Sequence, residues 1–205
     1  MLIRDLGLDA LILRAAAVLL ALAIHEYAHA LVAVKLGDPG PKYDGRLTLN
    51  PFAHLDVVGT LMLFLFSFGW AKPVMVDPSQ FKNPRRDMMW VALAGPASNI
   101  LLAFGLSRLA PWIINAVPRD FAAATTAFFV VAIQLNIWLA VFNMLPLPPL
   151  DGSKVLAGLL PRRYALQYYR LESYGTVILV LLVVSGAVVR VLQPVYLTVF
   201  RLVVG

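Results

Sequence analysis

The chain has 205 residues, of which 60% are hydrophobic and 14% charged, with a formal net charge of +6 and no cysteine. Soluble domains carry charge on roughly a quarter of their residues, so this composition points to lipid as the solvent, and the lack of cysteine excludes disulfides and thiolate metal sites. The basic residues lie between apolar runs and form no stripe interleaved with aromatics, which argues against nucleic acid as a partner.

Crossing about 30 Å of hydrocarbon takes about 20 helical residues. Four stretches qualify in chain order: Leu11–Leu36, Met88–Trp112, Phe121–Leu147 and Tyr174–Leu192. The first has no small-residue cleavage site after it and is expected to remain in the working protein. Beyond it, Gly45–Asn50 alternates polar and apolar residues and reads as a short strand, as does Ala71–Asp77. Between them, Val57–Trp70 is too short for an ordinary span and holds Gly59, Ser67 and Gly69, so it is expected to be re-entrant or interfacial. Pro194–Val204 is apolar too, and either extends the last helix past a proline kink or lies along the interface. The expected fold is an all-α membrane protein with about four transmembrane helices plus a short re-entrant or β-hairpin element between the first two. No repeat or linker divides residues 1–205, which are expected to form a single domain.

Charge orients this arrangement. With Val57–Trp70 not crossing, connections 35–87 and 148–173 share one face and together hold 11 of the 17 Lys and Arg, whereas Ile113–Asp120 holds Arg119 alone. The positive-inside rule then places the two basic connections in the cytoplasm of a multi-pass cell-membrane protein, with both termini outside. Trp70, Trp90, Trp112 and Tyr174, near the span ends, read as interfacial anchors.

The first span contains His25-Glu26-Tyr27-Ala28-His29. Residues four apart on a helix share a face, so His25 and His29 can offer two imidazole nitrogens to one tetrahedral Zn²⁺, while Glu26 is placed to hold the hydrolytic water. A chance match is the bland alternative. It is disfavoured because a charged group deep in an apolar helix costs about 2.5 kcal/mol or more and persists where function or pairing requires it. A catalytic zinc site needs a third protein ligand and one open position. Asp151 is the candidate, following Pro146, Pro148 and Pro149, which cannot continue the third helix and so leave an irregular, wettable stretch at membrane depth. The ordinary alternative is an Asp at a helix end facing the aqueous interface. His54, the remaining histidine, is expected to be a hydrogen-bonded connector and not a ligand.

HExxH in the first span, Gly95-Pro96-Ala97-Ser98-Asn99 in the second and NxxPxPxxDG from Asn143 to Gly152 occur together and in this order. The set resembles the site-2 protease family of intramembrane zinc metalloproteases, the M50-like peptidases. Gly45–Pro51 and Gly69–Val76 (GWAKPVMV) resemble that family's compact prokaryotic branch, without PDZ or CBS domains. The resemblance implies one zinc ion per chain on His25, His29 and Asp151, Glu26 as catalytic base, Asn143 near the site, and a transmembrane helix of a membrane-protein substrate as partner within the bilayer.

Asn143 could donate to the tetrahedral oxyanion or position the peptide, and a structural hydrogen bond between helices is an equally ordinary role. Asn136, two turns earlier, could join the same polar seam. Asn99 and Gly95 are weaker candidates for the site, and Gly95, Ala97 and Ser98 favour close helix packing over direct chemistry. Since cleavage needs an extended substrate, Arg46–Asn50 is expected to supply an edge for strand addition. Two rival classes remain: a proteolytically inactive membrane protein that binds client helices, and a small transporter using His25, Glu26 and Asp151 as an ion path, although no inverted repeat supports the latter.

Overall fold

The computed structural model describes residues 8–56, 59 and 72–205. The described residues form seven principal helices: α1 (Leu8–Leu36), α2 (Pro84–Ala116), α3 (Arg119–Asn143), α4 (Asp151–Leu159), α5 (Arg162–Tyr169), α6 (Glu172–Val184) and α7 (Ala187–Val204). Single helical turns occur at Gly40–Tyr43, Pro51–His54 and Pro78–Gln80.

The helix limits follow from local chemistry. α1 ends at Gly37, whose φ of +118° suits a residue without Cβ. There Gly37 N–H donates to Val34 O and Asp38 N–H to Ala33 O, the paired bonds of a Schellman stop. α2 opens on Pro84, where no amide donor is needed, and the Asp87 carboxylate reaches back to accept from Asn83 N–H. α3 gives out just before Pro146, Pro148 and Pro149, and α4 stops short of Pro161.

α2 is the central helix, packing against α1, α3, α4 and α7. Small residues make that approach close: Ala17, Ala21, Ala30 and Ala33 of α1, Ala92, Gly95 and Ala103 of α2, and Ala132 and Ala140 of α3 are buried. This is the packing expected of helices that lack a hydrophobic drive between them in lipid. The opposite faces are apolar and open, with Leu101 71%, Trp112 78% and Val184 80% exposed. Ile133, Ile137 and Val141 of α3 form a second contact zone with Val188, Leu192 and Val203 of α7.

Among the described residues, the helices long and apolar enough to cross a membrane are Leu11–Leu36, Pro84–Ala116, Arg119–Asn143 and Ala187–Val204. The first three match the expected spans. The fourth does not fall at Tyr174–Leu192, because that stretch is broken at Gly186, which has φ +71°. α6 is thereby limited to 13 residues, and the apolar tail continues α7 through Pro194. Apolarity alone could not locate this break, since apolar residues flank Gly186 on both sides.

Residues 46–50 are irregular, with bends at 47 and 48, and not a strand, and no strand ladder occurs among the described residues. Residues 72–77 are extended but unladdered, tied by Lys72 N–H to His54 O and by Asp77 N–H to the Asp38 carboxylate. The Asp77 carboxyl is held below its usual range by hydrogen bonds from the Ser79 hydroxyl and amide. The re-entrant reading of Val57–Trp70 concerns residues outside the described set, apart from Gly59.

Candidate metal centre

α1 carries His25, Glu26 and His29 on its buried side, and α4 delivers Asp151 as its first residue. Two glycines make the convergence sterically possible. An ideal Cβ on Gly152 would lie 2.5 Å from Leu145 O and closer still to Met144 O, so only glycine lets α4 start against the loop that ends α3. On α2, a Cβ at Gly95 would lie 2.6 Å from His25 Nε2 and closer still to His29 Nε2. Gly95 therefore leaves open a cradle in front of both imidazoles.

His25 Nε2 and His29 Nε2 are 3.0 Å apart, and Asp151 Oδ2 lies 3.2 Å from the first and 3.3 Å from the second. Ligands about 2.0–2.1 Å from a tetrahedral zinc are separated from one another by about 3.3 Å, so this triangle has nearly the edge length of one face of such a site. The remaining hydrogen bonds explain why a cation belongs there. His25 Nδ1 lies 2.6 Å from Asn99 Oδ1, and His29 Nδ1 lies 2.7 Å from Val91 O. A backbone carbonyl only accepts, so His29 Nδ1 carries the proton. Asn99 is oriented likewise, because its NH2 donates to Ala21 O and to Asn136 Oδ1, while the Asn136 NH2 donates to Ala132 O. His25 Nδ1 is then also a donor. Both Nε2 lone pairs point at the carboxylate, and three acceptors meet without a donor between them. A buried trio of this kind is stabilised by a divalent cation, with outer hydrogen bonds that orient each imidazole. The residues present thus fit zinc.

Glu26 stays outside the triangle: its Oε2 accepts from Val74 N–H at 3.2 Å. A cavity of about 350 Å³ joins these groups, bounded by His25, His29, Asp151, Glu26, Asn143 and Lys154, with Pro73, Val74 and Val76 of the extended segment along one side.

Residues 109–186 match the model for Peptidase family M50. Over 176 residues, covering 83% of this chain and 80% of the relative, the sequence is 43% identical to a Bacillus subtilis protein named "Putative zinc metalloprotease YwhC". The chain belongs to peptidase family M50. Two further relatives share a name, "Putative zinc metalloprotease Rip2". The one from Mycolicibacterium smegmatis is 29% identical over 84% of this chain and 66% of its own length. The one from Mycobacterium tuberculosis is 33% identical over 67% and 53%. No solved structure matches the chain significantly. The matched family region includes Asp151 but not the histidine pair, so the spatial meeting of the two is a separate observation from the family match.

Within this M50 chain the expected residues divide clearly. His25, His29 and Asp151 are brought together, and Glu26 borders the same cavity. Asn143 lines it as well, but its NH2 donates to Leu139 O, one turn back in its own helix, so its oxygen is the free end. His54 is buried away from the centre with Nε2 bonded to Thr48 O, the connector role expected of it. Asn136 does not extend a seam to Asn143 but pairs with Asn99. Asn99, a weaker candidate from the sequence, holds His25 directly. The available signal was its spacing: Asn99 is four residues from Gly95 and so shares the α2 face that meets α1. Edge 46–50 is not among the residues lining the cavity, and the extended backbone there is 73–76.

Proposed function

We propose that this multi-pass membrane protein is a zinc endopeptidase that cuts peptide bonds in or near transmembrane segments of membrane proteins. One zinc ion per chain is held by His25, His29 and Asp151, and Glu26 is the general base. The observation that carries this reading is the donor-free triangle of acceptors inside apolar helices, next to an uncoordinated carboxylate. When bound, zinc supplies Lewis acidity that polarises a peptide carbonyl and makes water easier to deprotonate.

The chain's own groups do the rest. Glu26, on the turn between the two histidines, accepts the water proton and returns it to the leaving amine. Asn99 and Val91 O keep the imidazoles in the Nδ1–H form, so that Nε2 is available as a ligand. A helical substrate hides its carbonyls in its own ladder, so it must be extended to react. The Val76 amide has no partner among the described residues, and Val76 lines the cavity, which supports backbone pairing there in place of the 46–50 edge. The distribution of Lys and Arg supports a cytoplasmic position for connections 35–87 and 148–173.

The test compares purified parent and Glu26→Gln on a fluorogenic peptide containing a transmembrane helix. The variant is expected to keep its zinc and lose 10²–10⁴-fold in turnover, the ordinary contribution of a general base. Equal turnover in both, or none in a zinc-loaded parent, favours instead an inactive protein that binds client helices.

A further inference from the structure

Peptide hydrolysis places negative charge on the scissile carbonyl oxygen, and a preorganised donor aimed at that charge is a large source of rate enhancement. The side-chain donors around the cavity are few. The two imidazole Nδ1–H groups are committed to Asn99 Oδ1 and Val91 O, and one of the two Asn143 amide N–H bonds to Leu139 O. Val74 N–H, a backbone donor on the cavity wall, is taken by Glu26. One cationic side chain is left. Lys154 borders the same cavity, is half-buried, and makes no hydrogen bond or ion pair among the described residues. It stands three residues after Asp151 on α4, so the two share a helix face one turn apart.

We infer that Lys154 is a catalytic residue whose ammonium binds the scissile carbonyl oxygen as it becomes anionic, one of the roles that the sequence left open for Asn143. The inference rests on the peptidase reading above. An ammonium has three donors on a flexible four-carbon stem, so it can follow the carbonyl oxygen as the carbon becomes tetrahedral. Its position on the helix that supplies Asp151 ties the anion-binding group to the metal ligand by a rigid element. Asn143, with its oxygen free, is left to accept from a substrate amide.

The experiment uses full-length, zinc-loaded protein in three forms: parent, Lys154→Gln and Lys154→Arg. With the fluorogenic membrane-helix peptide, Lys154→Gln is expected to lower kcat 10²–10³-fold, as loss of an oxyanion donor does. KM should stay within about threefold and zinc content should be unchanged, with Lys154→Arg recovering most of the rate. A second arm needs no turnover: in the Glu26→Gln background, binding of a phosphinate peptide, a tetrahedral anion, is compared with binding of the corresponding uncleaved peptide. Adding Lys154→Gln should weaken the phosphinate about 100-fold and leave the neutral peptide alone. Parent-like kcat in Lys154→Gln, equal loss of both ligands, or loss of zinc overturns the assignment. If the parent binds zinc but cleaves nothing, the peptidase reading fails by itself, and the binding arm still decides whether Lys154 selects the anion.

Discussion

Replacing Gly95 by alanine should empty the metal centre while leaving the fold in place. The added Cβ would sit 2.6 Å from His25 Nε2 and nearer still to His29 Nε2, practically where an ion bound to both would lie. Ordinary van der Waals contact begins near 3.4 Å, so each imidazole nitrogen must retreat by roughly 0.8 Å or more, whereas metal–ligand distances tolerate about 0.2 Å. The imidazoles cannot yield freely, because His25 is held through Asn99 and His29 through Val91 O. Zinc content after dialysis should fall from near one per chain to near zero. Gly105→Ala is the matched control: it lies ten residues further along α2, and its Cβ would meet nothing within 4 Å. That variant should keep full zinc and gain up to about 1 kcal/mol of helix stability. Zinc retained in Gly95→Ala at the parent level would show that the ion sits elsewhere.

Asn99→Leu removes the acceptor for His25 Nδ1–H and breaks the link to Asn136, and should weaken zinc binding 10–100-fold in chelator competition. Parent-like affinity would mean that the asparagine pair serves packing alone. Gly152→Ala forces a methyl into the Met144 and Leu145 carbonyls and should displace Asp151, so that zinc affinity and thermal stability fall together. An unchanged melting temperature with full zinc content would contradict the account of how α4 is seated.

Most of the architecture was legible because spans and ligands obey strong local rules. Apolar length marks three of the four candidate spans, and the i, i+4 spacing of His25 and His29 places the two imidazoles on one helix face. Asp151 was legible because prolines must end α3 and an acidic residue follows at once. The fourth span was misplaced because Gly186 breaks a uniformly apolar stretch, and hydropathy does not register a left-handed residue. The strand reading of 46–50 failed because alternation there reflects the burial of Arg46 and the Asn50 cap of the following turn, not a sheet. Asn99 and Asn136 were undervalued because their meaning depends on which helices touch. A buried amide declares its partner only once α1, α2 and α3 are packed.

The account stands on three side chains from two separated helices sharing one ion. Metal analysis of the detergent-purified parent beside His25→Ala and Asp151→Ala tests this most directly. Close to one zinc per chain in the parent and almost none in either variant is the expected result. Undiminished zinc in Asp151→Ala would contradict it, since the ion would then be held without the ligand that α4 brings to α1.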